Sequence, residues 1–469
     1  MTLRRYEEYR DSGVEWLGQV PAHWEVLQLR RVIHGIEQGW SPECESRPAE
    51  NGEWGVLKTG CVNGGRFNPQ ENKALPSHLE APPQLEVAPD DLLMSRASGS
   101  PELVGSAALV SQTPARLLLS DKTFRLHVTE RASKQFLAWC LGSRPLRAQI
   151  ECAISGAAGL ANNLPQSSLL EFLAAFPPAD EQLGIAQYLD RESAKIDMLI
   201  AEQQRLIELL TEKRQAVIAH TVTKGLNPAA SMKHSGVEWL GDVPAHWEVT
   251  RLKFIAHVQT GVAKGKDNTG KQTVEVPYLR VANVQDGYLD LQEVSTIEIP
   301  ADDLPRYQLR PGDVLMNEGG DFDKLGRGHI WDGSIEPCIH QNHVFAVRPF
   351  GISPRWLNAL TGAAYAQFYF MSRSKQSTNL ASISSTNIME LPVVIPPADE
   401  QEALLDMIDS QSATLDQLID DARIGIRLLR ERRTALVSAA VTGQIDVRSA
   451  TVADTAPSHA ERAPAHAIR

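Results

Sequence analysis

The stretch Ser12 to Val26, SGVEWLGQVPAHWEV, returns at Ser235 to Val249 as SGVEWLGDVPAHWEV, and the two copies differ only at Gln19 and Asp242. Downstream of each copy lies a second shared motif, PPADEQ, at Pro177 to Gln182 and again at Pro396 to Gln401. The chain therefore runs box, long segment, PPADEQ, and then the same order again. A period of roughly 220 residues is far longer than any solenoid repeat, so each copy needs a core of its own.

The segments between these markers, about Leu27 to Phe176 and Thr250 to Ile395, have diverged to sparse correspondences. Leu57-Lys58 matches Leu279-Arg280, Asp91-Leu92-Leu93-Met94 matches Asp313-Val314-Leu315-Met316, and Phe124 matches Phe345. A fixed frame around divergent filling implies one fold used for two versions of one task. Apolar runs at Glu53 to Val62 and Val276 to Val284 are short and bounded by Gly, Pro, Asn and Asp, which predicts strands and turns. Ser133 to Ile150 and Pro354 to Met371 carry helical spacing. The residue before the second strand differs between copies, Asp90 against Gly312, so the turn there is expected to differ. Trp16, Trp24, Trp239 and Trp247 are expected to bury their indoles against the helices.

After each PPADEQ the pattern becomes helical. Ile196, Leu199, Ile200, Leu206, Leu210 and Val217 fall near one stripe, and Leu415, Leu418, Ile419, Ile426, Leu429 and Leu436 form the second. Helices of roughly 40 residues reach about 60 Å. Each is too apolar on one stripe to stand alone in water, which predicts a coiled coil between them; the alternative is that each folds back on its own domain.

The expected organisation is α+β: two homologous mixed α/β domains separated by two long antiparallel coiled-coil helices in a pseudo-two-fold repeat. The boundaries read 1–26 for a first box packed on the helices, 27–176 for the first domain, 177–226 for the central helix, 227–249 for the second box, 250–395 for the second domain, 396–448 for the C-terminal helix and 449–469 for a disordered tail.

Catalytic signatures are missing from the sequence. It holds no FxGxG cofactor loop, and Asn68-Pro69 is followed by Gln70 where a methyltransferase turn needs a second proline and an aromatic residue. It also lacks a GxxxxGK[ST] loop. Pro89-Asp90 follows Glu71-Asn72-Lys73, the reverse of the nuclease order. His340 and His343 lack a third metal ligand nearby. The five cysteines form no CxxC pair, and no stretch approaches the roughly 20 apolar residues of a membrane span. A cytoplasmic protein with no metal and no membrane is expected. The net charge of -12 opposes purely electrostatic binding to a polyanion and leaves room only for local basic loops.

The SGVEWLG…VPxHW box, a segment with a GDVLM-like turn (Asp90-Asp91-Leu92-Leu93-Met94 in the first copy, Gly312-Asp313-Val314-Leu315-Met316 in the second) and the PP-x-x-EQ helix, all occurring twice, resemble the specificity subunits of type I restriction-modification systems over almost the whole chain. The resemblance implies a non-catalytic protein that recognises a bipartite, gapped site in double-stranded DNA, one half-site per domain. It further implies docking of two methyltransferase subunits and of restriction/translocase subunits, with S-adenosylmethionine, ATP and Mg held by those partners and no cofactor in this chain. A non-catalytic protein-protein adaptor with duplicated binding domains is the alternative. Base reading needs Arg, Lys, Asn or Gln on loops able to enter a groove. The candidates are Gln38, Lys58, Asn63, Arg66, Arg96 and Lys122 in the first domain, and Lys264, Lys266, Lys271, Arg280, Asn283, Lys324 and Arg327 in the second.

Overall fold

The computed structural model describes residues 4–114, 116–154, 162–265, 267–320, 322, 325–326, 328–376 and 381–448. The expected tail at 449–469 and the candidates Lys266, Lys324 and Arg327 lie outside the described residues. The chain is mixed helix and strand and divides into two compact units, Met1–Glu202 with Gly425–Arg469, and Gln203–Ile424. Both divisions fall inside long helices, Ala179–Lys224 and Ala398–Val441, so each unit holds part of both.

In the first unit a four-stranded antiparallel sheet takes the order Ile33–Gln38, Thr123–Val128, Leu92–Ser95, Ala107–Leu109. A smaller sheet sets Gly55–Leu57 between Leu117–Leu118, parallel to it, and Asn72–Ala74, antiparallel to it. The second unit repeats both. Ala256–Thr260, Val344–Pro349, Val314–Asn317 and Gly328–Ile330 form the larger sheet. Thr273–Leu279 lies between Ile339–His340, parallel, and Ser295–Pro300, antiparallel. The register repeats as well: Phe124 pairs with Met94, and Phe345 with Met316.

The Leu92-Leu93-Met94 run is apolar throughout because its strand is covered on both faces. Leu92 and Met94 enter the main core with Phe124, Leu126 and Phe136, while Leu93 enters a second cluster with Leu57, Ala108 and Leu117. Val314 and Met316 against Leu315 divide in the same way. Asp91 and Asp313 anchor this strand. Arg125 meets Asp91 at 3.0 Å, and Arg348 grips Asp313 through two bonds of 2.7 Å. The partner arginines sit at different strand positions, so the anchor persists while its neighbour has moved.

The turn before the strand is the same in both units, contrary to the sequence expectation. Asp90 has φ 72 and Gly312 φ 93, and aspartate is among the few side chains that tolerate the left-handed region. The expected helix over Ser133 to Ile150 is two, Lys134–Leu141 and Arg144–Ala153. Pro145 lacks an N–H and crowds the preceding turn, so one continuous helix cannot form. Pro354–Thr361 and Ala364–Arg373 divide likewise at an extended Ala363.

The shared motifs bind one another. Glu181, in the first turn of its long helix and buried, accepts bonds from the Trp24 indole at 3.2 Å and the Tyr6 hydroxyl at 2.5 Å, and lies 2.9 Å from His23 Nε2. Glu400 meets Trp247 at 3.0 Å and His246 at 2.8 Å. A carboxylate near a helix N-terminus is also favoured by the backbone dipoles. Each box further receives the end of the other long helix. A Cβ added to Gly443 would stand 2.3 Å from Pro21 Cδ, and one added to Gly225 3.1 Å from the Trp247 ring, and both glycines have positive φ.

Trp24 and Trp247 are thus buried as expected, but Trp16 is 50% exposed and Trp239 38%. They stand in the turns closed by the Val14 and Val237 carbonyls. The helical stripes also shift. Leu199, Leu206 and Leu418 are exposed, and the inward positions follow alternating steps of four and three: Ile196, Ile200, Gln203, Ile207, Leu210, Arg214, Val217, and Leu415, Ile419, Ala422, Ile426, Leu429, Arg433, Leu436. Arg433 reaches Asp197 at 2.8 Å in the first unit, and Arg214 reaches Asp416 at 2.7 Å in the second. Within each unit the helices run antiparallel, and both also enter the domain core. Ile185 and Leu189 join Val437 and Val441 in one core, and Val222 joins Leu404 and Ile408 in the other. Pairing and folding back on the domain therefore occur together.

Glu181→Ala would leave the buried Trp24 N–H and Tyr6 hydroxyl unpartnered and is expected to cost about 2 to 4 kcal/mol in denaturant unfolding. Glu181→Gln keeps an acceptor and should cost about 1 kcal/mol. Equal losses would show that the hydrogen bonds do not carry the effect.

Candidate nucleic-acid interface

Antiparallel pairing brings Gln38, Arg96 and Lys122 to one edge of the larger sheet in the first unit. Gln38 ends its strand opposite Phe124, Ser95 lies opposite Thr123, and the Arg96 N–H donates to the Lys122 carbonyl at 2.9 Å. Gln38 and Lys122 are exposed, and the Arg96 guanidinium donates to the Asp121 carbonyl at 3.3 Å. The adjoining loop is tied by strand Ala97–Ser98 to Asn162–Asn163. The Asn162 amide donates to the carbonyls of Ser98 and Gly99 at 3.4 and 3.3 Å. Sequence reasoning missed both asparagines, since only a pairing more than sixty residues apart places them here.

Lys58, Asn63 and Arg66 belong instead to the turns after Gly55–Leu57. Lys58 lies 3.7 Å from Glu71 and Asn63 is exposed. Arg66 meets Asp197 at 2.5 Å, the same carboxylate that receives Arg433, so its charge is spent on the long helix.

The matching edge of the second unit carries Thr260, Glu318 and His343, because Thr260 lies opposite Phe345 and Asn317 opposite Val344. His343 Nδ1 is 2.7 Å from a Glu318 oxygen. Exposed Lys375 and Gln376 pair with Ala381–Ser382, which pairs in turn with Gly319–Gly320. None of these was a sequence candidate. Lys264 and Lys271 are exposed in the loop before Thr273–Leu279. Arg280 is half-buried after that strand, and its Nε is buried with no hydrogen-bond partner.

Asn283 is tied into the turn after Arg280. It is 3% exposed, its oxygen accepts the Arg280 N–H, and its amide donates to the carbonyls of Asp290 and Glu293, all at 2.9 Å. Both donors of its amide are thereby taken up by the turn.

The two edges share a frame and differ in chemistry. The first offers an amide, a guanidinium and an ammonium; the second offers a hydroxyl, a carboxylate and an imidazole. Such groups are hydrogen-bonding complements of different base edges. His340, beneath the second edge, is buried with Nδ1 2.7 Å from the Val344 carbonyl, and burial lowers its pKa to about 4, which keeps it neutral. Burial likewise raises the Cys61 and Cys338 thiols to about 12. Among the described residues no group of three or more His, Cys, Asp or Glu could hold a metal ion, and no helix is long and apolar enough to cross a membrane.

Curated relatives share one description. The specificity subunit of the type I restriction enzyme EcoKI from Escherichia coli strain K12 is 21% identical over 441 residues, covering 91% of this chain and 90% of that protein. The EcoEI specificity subunit from Escherichia coli is 34% identical over 174 residues, which are 37% of this chain and only 29% of the relative. A solved structure concerned with complex assembly and conformational transition of the type I restriction-modification system aligns over 90% of this chain and 98% of that one, with a TM-score of 0.62 and 16% identity. The EcoKI relative is similar along almost the whole chain, and the solved structure shares its fold. No family model matches the chain. The resemblance read from the two boxes and the PPADEQ helices therefore holds along its length, and the relatives are named as specificity subunits.

The His340 environment sets a pH limit. Because its folded pKa of about 4 lies below the ordinary value near 6.5, the unfolded chain takes up a proton that the folded chain does not as pH falls through that window. Its contribution is complete above about pH 6.5 and should fall by about 2 kcal/mol by pH 5. Urea unfolding of His340→Asn should lack this part of the pH slope; a slope equal to that of the parent would contradict the assignment.

Proposed function

We propose that this chain recognises a bipartite, gapped site in double-stranded DNA, with each unit reading one half-site through the edge of its larger sheet, and that it performs no chemistry. The observation that carries this reading is one strand order and register, found twice, with different polar side chains at the same edge. A protein built to bind one target twice would keep those side chains alike.

The acidic balance fits a shared grip. With a net charge of -12 the chain alone should bind DNA weakly, so neighbouring subunits supply much of the phosphate contact. In this reading two methyltransferase subunits and the restriction/translocase subunits dock on the chain in the cytoplasm. S-adenosylmethionine, ATP and Mg act in those subunits, consistent with the missing catalytic loops.

Edge substitutions in the complex with methyltransferase test the proposal. Gln38→Ala should relax preference at one position of one half-site by about 1 to 3 kcal/mol and leave the other half-site unchanged. Lys122→Ala should weaken all sequences alike and reduce the salt slope by about 1. An effect of Gln38→Ala spread over both half-sites, or no effect from either change, would refute reading at this edge.

A further inference from the structure

Most of the box is explained by the fold. Trp24 and His23 bind Glu181, Leu17 and Val20 are buried, and Pro21 lies against the end of the second long helix. Glu15 and Trp16 are not explained in this way. They occupy the middle of a turn in which the Val14 carbonyl accepts the N–H groups of Leu17 at 3.1 Å and Gly18 at 3.0 Å. Gly13 and Gly18 flank it at φ 71 and 63, a conformation that favours glycine. The second box builds the same turn: the Val237 carbonyl accepts from Leu240 and Gly241, both at 3.1 Å, between Gly236 at φ 79 and Gly241 at φ 65.

The turn thus holds a glutamate and a tryptophan in solvent, twice, with the same backbone. Exposing half an indole gains nothing for folding, and the intervening domains show how far unneeded positions have drifted. Tryptophan is the side chain most enriched where protein interfaces concentrate their binding energy. In the second unit Trp239 lies 6.1 Å, centroid to centroid, from the ring of Phe368, itself exposed, which extends the apolar patch. Exposed acids accompany the indole in both copies, Asp11 and Glu15 in one and Glu238 and Asp242 in the other.

We propose that Glu15-Trp16 and Glu238-Trp239 are two equivalent docking points for two copies of one protein subunit. That subunit presents an apolar slot for the indole beside a cationic side chain for the carboxylate. Identical turns call for identical partners, just as the unlike sheet edges call for unlike targets. The proposal rests on the specificity-subunit reading for the partner's identity, the methyltransferase subunit of the same system.

The test is native mass spectrometry and titration of the full chain with that purified methyltransferase subunit. The parent should take two copies, Trp16→Ala one, Trp239→Ala one and the double variant none, with Kd at each altered site raised at least about 30-fold. Glu15→Lys and Glu238→Lys alter exposed side chains and serve if an alanine variant fails to fold. Each should weaken its own site about 10-fold or more and alter the salt dependence. Two copies bound with unchanged affinity by the double variants would overturn the turn proposal and leave the functional reading standing. A parent chain that binds no methyltransferase would overturn both. Loss of self-association in the tryptophan variants, with methyltransferase binding intact, would assign the surface to contacts between copies of this chain and would also overturn it.

Discussion

A carboxylate at the start of each long helix, buried at Glu181 and half-buried at Glu400, holds the rest in place. Glu181 and Glu400 each gather the indole and imidazole of a box that is otherwise a short strand pair without a core of its own. The cost of desolvating a carboxylate is offset by several donors and by the helix dipole. Because the same box also receives the glycine that ends the other long helix, one cluster fixes a helix start, a helix end and the root of a domain. That explains why most of the box, Glu15 and Trp16 apart, stayed unchanged while about 150 residues beside it diverged.

Within each domain the constraint is different. A strand covered on both faces must be apolar at every position, and its aspartate must find an arginine, but the arginine can come from either of two sites on the neighbouring strand, as Arg125 and Arg348 show. The sheet edge carries no such demand. Its side chains face water or a ligand, and their identity is free to differ between units without disturbing the core. The demands of stability are thereby confined to the core and leave the edge free to vary, which suits a protein whose proposed targets differ.

The duplication, the long helices, the strand partners of Phe124 and Phe345 and the family likeness were legible in the sequence because each is written as local identity or local periodicity. Errors arose where geometry outside the local window decides. Leu199, Leu206 and Leu418 belong to an apolar stripe by composition, yet the inward seam passes through the uncharged Gln203 and through Arg214 and Arg433, whose charges find partners across the helix pair. Asp90 looked unlike Gly312 but adopts the same positive φ. The candidate site was legible only in part: Gln38, Arg96 and Lys122 meet at one edge, Asn283 is consumed by a turn, and Glu318, His343 and Lys375 were invisible until strand register placed them.

The central claim is that the two domains read separately. Exchanging Leu27 to Phe176 for the matching segment of a related specificity subunit, followed by methylome sequencing of a host carrying the complex, measures this directly. The account predicts a modified motif in which one half has changed and the other half, on the far side of an unread gap, keeps its sequence. A motif altered in both halves, or a contiguous motif with no gap, would contradict it.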